Sequence, residues 1–162
     1  LGHTVQADGR WRLFLFAGAD EPAARDSGIW QACEWLAHDP GSPVHRYNGS
    51  GEDVDARFDV RAVFQQGHRE LWLGDMHPFL QPAKGRYGLR DYEKMFCAES
   101  GRDIFEMRGV DRQGCIVVVR PDQHVAEIVP LDEHEALSGF FARFLVGPAE
   151  AGAEGVTNLG TQ

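Results

Sequence analysis

The sequence predicts an α/β fold in which a central mixed sheet is flanked by helices. Three observations carry that expectation. Two short runs, Arg10–Phe16 ("RWRLFLF") and Cys115–Arg120 ("CIVVVR"), are apolar on both faces, as strands covered from both sides are. A third run, Phe58–Phe64 ("FDVRAVF"), alternates Phe58, Val60, Ala62 and Phe64 with Asp59 and Arg61. Two segments carry apolar residues at helical spacing and need a sheet to cover.

The elements follow in order. Arg10–Phe16 is the first strand, and the loop "AGADEPAARDS" leads from it to Ser27, a residue suited to cap a helix. Ile29, Trp30, Cys33, Leu36 and Ala37 form that helix's buried stripe, and Asp39-Pro40-Gly41 ends it. The helix is a crossover if Phe58–Phe64 lies parallel to the first strand, which completes a βαβ unit. Leu71–Glu106 is punctuated by Pro and Gly and rich in aromatics, and one short helix is expected around Arg90–Ala98.

Cys115–Arg120 should lie mid-sheet. Pro121-Asp122-Gln123 then reverses the chain into a second strand, His124–Val129. Asp132 stands three residues before Glu135, the spacing of a capping box, and Leu137, Phe140, Phe141, Phe144 and Leu145 make one apolar stripe. Strand, tight turn, strand and helix in this order read as the closing half of a thioredoxin-like domain. The tail from 147 to 162 is small, polar and aperiodic, and is expected to be flexible.

Composition narrows the function classes. With 162 residues, 43% of them hydrophobic, the chain suits one ordinary core, and no second block of similar size argues for another domain. The net charge of -9 disfavours nucleic acid as a partner by repulsion. No apolar run approaches the roughly 20 residues that span a bilayer, and the N-terminus lacks signal-peptide regions, so the expectation is a cytoplasmic protein with no membrane partner. Three cysteines, Cys33, Cys97 and Cys115, without framework spacing suit a reducing compartment, and the sequon Asn48-Gly49-Ser50 then reads as a turn.

The chemistry that such a fold usually performs has no residues here. A thiol oxidoreductase needs a thiolate at a helix N-terminus and a second Cys three residues on, whereas the loop before the first helix contains no Cys and Cys33 lies on that helix's apolar stripe. A single-Cys peroxide enzyme needs an exposed Cys of low pKa, and none of the three sits where one is expected. No Cys or His pair has zinc spacing; Asp75 and His77 in "GDMHP" are two ligands at most and read better as a polar turn before Pro78. "GSGEDV" lacks the third Gly of a dinucleotide fingerprint and carries Glu52, Asp53 and Asp55, which repel phosphate, so it reads as a flexible acidic loop. The sequence offers no catalytic constellation.

Longer runs do carry a resemblance. "GRYGLRDYEKMFC", "DIFEMRGVDRQGCIVVVRPDQHVAEIVPLD", "FFARFL" and, near the start, "LGHTVQADGRWRLFLFAG" resemble the C-terminal domain of FAD-dependent phenol 2-monooxygenases and 3-hydroxybenzoate 4-monooxygenases, over residues 1–146. The resemblance implies a thioredoxin-like domain without redox function that serves as a dimerisation domain. The position of the thioredoxin cis-proline falls on Cys115, and that of the Cys pair in "AGADEPAARDS". It further implies that FAD and substrate bind in N-terminal domains that this chain starts too late to contain, so that the chain is a piece of an aromatic hydroxylase, binds no cofactor or metal itself, and has as partners those flavin domains and a second copy. The alternative is a stand-alone thioredoxin-like module that recruits a partner without redox work.

One segment is the candidate contact. Between 84 and 94, Lys84, Arg86, Arg90 and Lys94 stand against Asp91 and Glu93 and are interleaved with Tyr87 and Tyr92. Lys84, Arg86, Tyr87, Arg90 and Tyr92 are the expected interface, since Arg and Tyr dominate protein contacts. The competing reading is a loop whose tyrosines pack on its own core.

Overall fold

The computed structural model describes residues 5–49, 51–99 and 101–147. Among these residues seven strands form: β1 (Trp11–Phe16), β2 (Phe58–Phe64), β3 (Ala83–Lys84), β4 (Leu89–Arg90), β5 (Met95–Cys97), β6 (Cys115–Val119) and β7 (Val125–Pro130). Four helices accompany them: α1 (Gly28–His38), α2 (Pro43–Tyr47), α3 (Ile104–Arg108) and α4 (His134–Ala142). The main sheet has the order β5-β2-β1-β6-β7. β1 pairs parallel with β2, which pairs parallel with β5, while β6 is antiparallel to both β1 and β7. This is the mixed sheet flanked by helices expected from the sequence, consistent with a thioredoxin-like fold, and the β1-α1-β2 crossover is the βαβ unit.

Side-chain alternation divides the core in two. Leu13 and Leu15, Phe58 through Phe64 at every second position, Ile116 and Val118 face α1, α2 and α4, where Ile29, Cys33, Leu36, Tyr47, Leu137 and Phe141 meet them. Phe14, Phe16, Val63, Cys115, Val117 and Val119 face the other way and are covered by Phe105 of α3. Trp11 packs edge-on against Phe141 at 5.2 Å and stacks with Phe144, which ties α4 to the first strand.

Ser27 caps α1 as expected, its Oγ accepting from the Trp30 N–H at 3.3 Å. The stripe is tighter than the spacing suggests: Ala32 joins Ile29, Cys33 and Leu36 in the core, while Trp30 and Ala37 are only partly buried. At α4 the expectation fails. The N-cap is Glu133, with no side-chain hydrogen bond, so Asp132 and Glu135 form no capping box. Leu131 is buried beside β6, and the chain enters α4 through a turn in which the His134 N–H reaches the Asp132 carbonyl, so the backbone takes the place of the carboxylate.

The helix expected over Arg90–Ala98 is replaced by strands. Gly85 and Gly88, with φ of 65° and 61°, turn the chain between β3 and β4, a conformation that glycine alone adopts freely. From Met95 the side chains alternate with period two: Met95 and Cys97 pack on the α1 side, Phe96 and Ala98 on the other. The open edge of β2 takes up the backbone, the Ala62 N–H donating to the Lys94 carbonyl and the Ala98 N–H to the Phe64 carbonyl, both at 2.8 Å. Tertiary pairing thus overrides a helix-compatible composition. Beyond Gly147 the expected flexible tail lies outside the described residues, as does Ser50 of the sequon; Asn48 closes α2. No helix of the described residues is long and apolar enough to cross a membrane.

Candidate docking surface

In a redox-active fold of this type the N-terminus of α1 would stabilise a thiolate. Here the Gly28 N–H donates to the Asp20 carboxylate at 2.9 Å and the Trp30 N–H to Ser27, so an anion and a cap already occupy the helix's positive end. Opposite lies Gly114, φ 95°, where a Cβ would come within 2.7 Å of the Phe16 carbonyl oxygen and 2.6 Å of Leu131 Cδ1. Only glycine fits at this position, next to Cys115, and a cleft lined by Gly28, Gly114, Cys115 and Leu131 remains between it and the start of α1. Burial pushes the thiols of Cys33, Cys97 and Cys115 upward, with the nearby carboxylates of Glu34 and Asp111 adding to the effect at Cys33 and Cys115. Cys33 is completely buried on α1.

His77 and Asp75 separate. His77 is buried, caps the 3-10 turn Pro78–Leu80 by accepting the Phe79 N–H on Nδ1, and therefore carries its proton on Nε2, which donates to Glu34 at 2.9 Å. That bond holds the Glu34 carboxyl below its usual range. Trp30 meets the imidazole edge-on at 4.8 Å. The histidine fastens the 73–80 segment to α1. Among the described residues no group of three His, Cys, Asp or Glu side chains converges as metal ligands would.

The basic segment resolves into an inner and an outer part. Asp91 donates its N–H to the Pro82 carbonyl and closes a two-stranded hairpin, β3–β4, which stands apart from the main sheet. Lys84, at its base, turns inward to Asp53 and Asp55. Lys94, just before β5, is 2% exposed and lies 2.7 Å from Asp55 and 3.1 Å from Asp59. Asp59 in turn receives Arg61 Nε at 2.9 Å and faces the fully buried Arg12 at 3.7 Å. Of the acidic "GSGEDV" stretch, Asp53 is thus tied to Lys84, and Asp55 just after it holds both Lys84 and Lys94. Burial disfavours the ionised Asp59, but Lys94 and Arg61 outweigh it and leave the carboxyl below its usual range; the hydrogen bond from Lys84 does the same for Asp53. Sequence reasoning missed this network, because its members are far apart in the chain and only the odd Asp59 and Arg61 within an apolar strand hinted at it.

The outer part is what remains at the surface. Tyr87 is 79% exposed and Leu89 70%, with the Arg86 guanidinium 5.4 Å from the Tyr87 ring centroid. Arg90 is exposed and Tyr92 is partly so. The tyrosines do not pack on the domain's own core. Four of the five expected interface residues, Arg86, Tyr87, Arg90 and Tyr92, share the exposed hairpin and its exit, and Lys84 anchors it.

The family model described as "Phenol hydroxylase, C-terminal dimerisation domain" matches residues 1–149. A 3-hydroxybenzoate 4-monooxygenase of Comamonas testosteroni is 48% identical over 149 residues, covering 90% of this chain and 23% of that protein. The FAD-dependent monooxygenase terD of Aspergillus terreus is 26% identical over 92% of this chain and 25% of its own length. The phenol 2-monooxygenase fsqG of Aspergillus fumigatus is likewise 26% identical, over 90% of this chain and 24% of its own. The chain thus spans roughly a quarter of the length of these curated relatives.

Proposed function

This chain belongs to the phenol hydroxylase C-terminal dimerisation domain family, and we propose that it works as the non-catalytic dimerisation scaffold of an FAD-dependent aromatic hydroxylase. In this reading FAD and the aromatic substrate are bound by other domains of the parent enzyme, whose two copies are held together in the cytoplasm through domains like this one. The exposed hairpin bearing Arg86, Tyr87, Arg90 and Tyr92, fixed at its base by Lys84, is the docking contact.

The observation that carries the reading is the hairpin's division of labour. Lys84 and Lys94 are spent inward on carboxylates, while a tyrosine and a leucine stand in solvent on a rigidly based arm beside an arginine. Exposed aromatic and Arg anchors of this kind are what interface centres are made of. The end of α1 supports the scaffold role: the Asp20 carboxylate already holds its Gly28 N–H, and the nearby Cys115 is buried with its thiol pushed upward.

Two measurements on the 162-residue chain test the proposal together. Sedimentation over a range of concentrations is expected to give a reversible monomer–dimer equilibrium, and titration with FAD is expected to leave the flavin spectrum unchanged. Saturable flavin binding at micromolar concentration, or a chain that stays monomeric throughout, contradicts it.

A further inference from the structure

We propose that the β5 edge of the sheet is a self-complementary surface on which two copies of this chain meet about a two-fold axis, the β3–β4 hairpin of each copy lying in the groove beside β5 of the other. The inference rests on the dimerisation reading and adds its location and geometry.

The sheet has two edges, and they differ. On β7 the Ile128 N–H is taken by the side chain of its neighbour Glu127 at 3.2 Å, and Pro130 has no N–H to offer. A carboxylate and a proline on an edge are devices that prevent association there. β5 pairs only with β2, and no side chain of the described residues bonds to its backbone. Alongside it runs an open groove of about 1010 Å³, walled on its far side by the chain from Gly67 to Leu73.

Exposed apolar side chains gather at the same edge. Of the ten large hydrophobic residues that stand exposed among the described residues, five, Trp72, Leu73, Tyr87, Leu89 and Tyr92, belong to the hairpin with its exit or to the groove wall and its rim. A concentration of this kind marks an interaction site more than scattered single residues do.

The two features sit at opposite ends of the edge. β2 and β5 run parallel with their ends together, Phe64 beside Cys97, so the first four residues of β2 extend beyond the start of β5. The hairpin is tied to Asp53 and Asp55, ahead of the start of β2, and leads directly into the start of β5. The groove is built by β5 itself and mainly by residues that follow the ends of those strands, Gly67–Leu71 and Ala98–Glu99. The separation is roughly 20 Å, the length of a seven-residue strand. A two-fold axis through the edge midway between the two features, just ahead of β5, exchanges them and so sets each hairpin over the other copy's groove, the isologous arrangement of a closed dimer. Charge agrees with this placement: the hairpin presents Arg86 and Arg90, while the groove carries Glu70 and Glu99 against the single Arg69.

The groove contains its own reporter, because Cys97 is partly exposed on its wall. In the 162-residue chain carrying Tyr87→Cys, mild oxidation is expected to yield a disulfide-linked dimer that disappears when Cys97→Ser is added. The chain carrying both substitutions should still form a mixed disulfide dimer with the unsubstituted chain through the latter's Cys97. As a second readout that leaves Tyr87 in place, Arg90→Glu is expected to weaken self-association at least fivefold, and Glu99→Arg in the same chain to recover it. A dimer that gives no Cys97-dependent disulfide and is indifferent to the charge pair overturns the location while leaving the dimerisation reading intact. A disulfide that persists in the Tyr87→Cys, Cys97→Ser chain alone means that the hairpins meet each other and also overturns it. A chain monomeric at every concentration overturns both readings.

Discussion

The Lys94 ammonium lies 2.7 Å from the Asp55 carboxylate, both almost wholly removed from solvent, although Lys94 closes the most basic and aromatic stretch of the sequence. The pair fixes where the candidate docking arm begins. Lys84 shares the same carboxylate at 2.6 Å, so one aspartate holds both the base of the hairpin and the entrance to β5.

Removing the buried lysine should therefore be costly. Lys94→Met strips Asp55 and Asp59 of their nearest shared cation and leaves buried carboxylates undercompensated, a loss of about 3 kcal/mol by comparison with other broken buried pairs. Lys84→Met acts on a half-exposed partner of the same cluster and should cost about 1 kcal/mol or less. Urea unfolding of the two variants beside the parent checks the ranking; equal small effects would mean that the buried cluster is not the hairpin's anchor.

Acid should loosen the same clamp. The hydrogen bond from Lys84 holds the Asp53 carboxyl below its usual range, and at Asp59 burial, which acts upward, is outweighed by Lys94 and Arg61. A carboxylate whose folded-state pKa is depressed contributes stability that is complete above its unfolded value, about 3.9, and is lost as pH falls through the folded value. The melting temperature is expected to be flat from pH 7 to about 5 and to fall below about pH 4. In Lys84→Met, Asp53 loses its principal partner, and the acid-dependent fall should shrink. A fall beginning near pH 6 would point to histidines instead.

The thiols give a third check. Burial raises Cys33 and Cys115, with Glu34 and Asp111 adding to it, and Cys97 is raised by burial alone but is partly exposed. An aromatic disulfide reagent at neutral pH should label Cys97 first and leave Cys33 unreacted until denaturant is added, with no turnover of a protein disulfide substrate. Asp20→Asn keeps the hydrogen bond to Gly28 but removes the charge from the end of α1, and is expected to cost about 0.5 kcal/mol and to create no redox activity. Fast native labelling of Cys33 would contradict the packing described for α1.

The sheet, its parallel βαβ unit and the closing hairpin were legible because each rests on local periodicity: Leu13 and Leu15 against Phe14 and Phe16, Phe58 to Phe64, and the valines of β6. What was not legible depends on partners far along the chain. Met95–Cys97 reads as helix-compatible until the open edge of β2 offers it a ladder. Asp132 has the right spacing from Glu135 for a capping box, yet Leu131 is drawn into the core and the helix starts one residue later than that box requires. Lys94 looked like one more surface cation because nothing local announces that Asp59, 35 residues earlier, faces it across the sheet. The exposed members of the candidate site, Arg86, Tyr87, Arg90 and Tyr92, were legible for a different reason: on a hairpin outside the main sheet, the residue types at the surface are those the sequence already shows.

The most direct measurement of the scaffold account is sedimentation equilibrium of the Arg86→Glu, Tyr87→Ala double variant, run with thermal unfolding on the same samples. Both side chains lie on the exposed arm, away from the clamp at Lys84 and Lys94, so the melting temperature should stay within about 2 °C of the parent, as for surface changes of under ~0.5 kcal/mol. The dimer dissociation constant should rise at least tenfold, since losing an interface anchor typically costs about 2 kcal/mol. Self-association identical to the parent at every concentration, or a melting temperature lowered by 10 °C or more, would contradict the assignment of this hairpin as the docking arm.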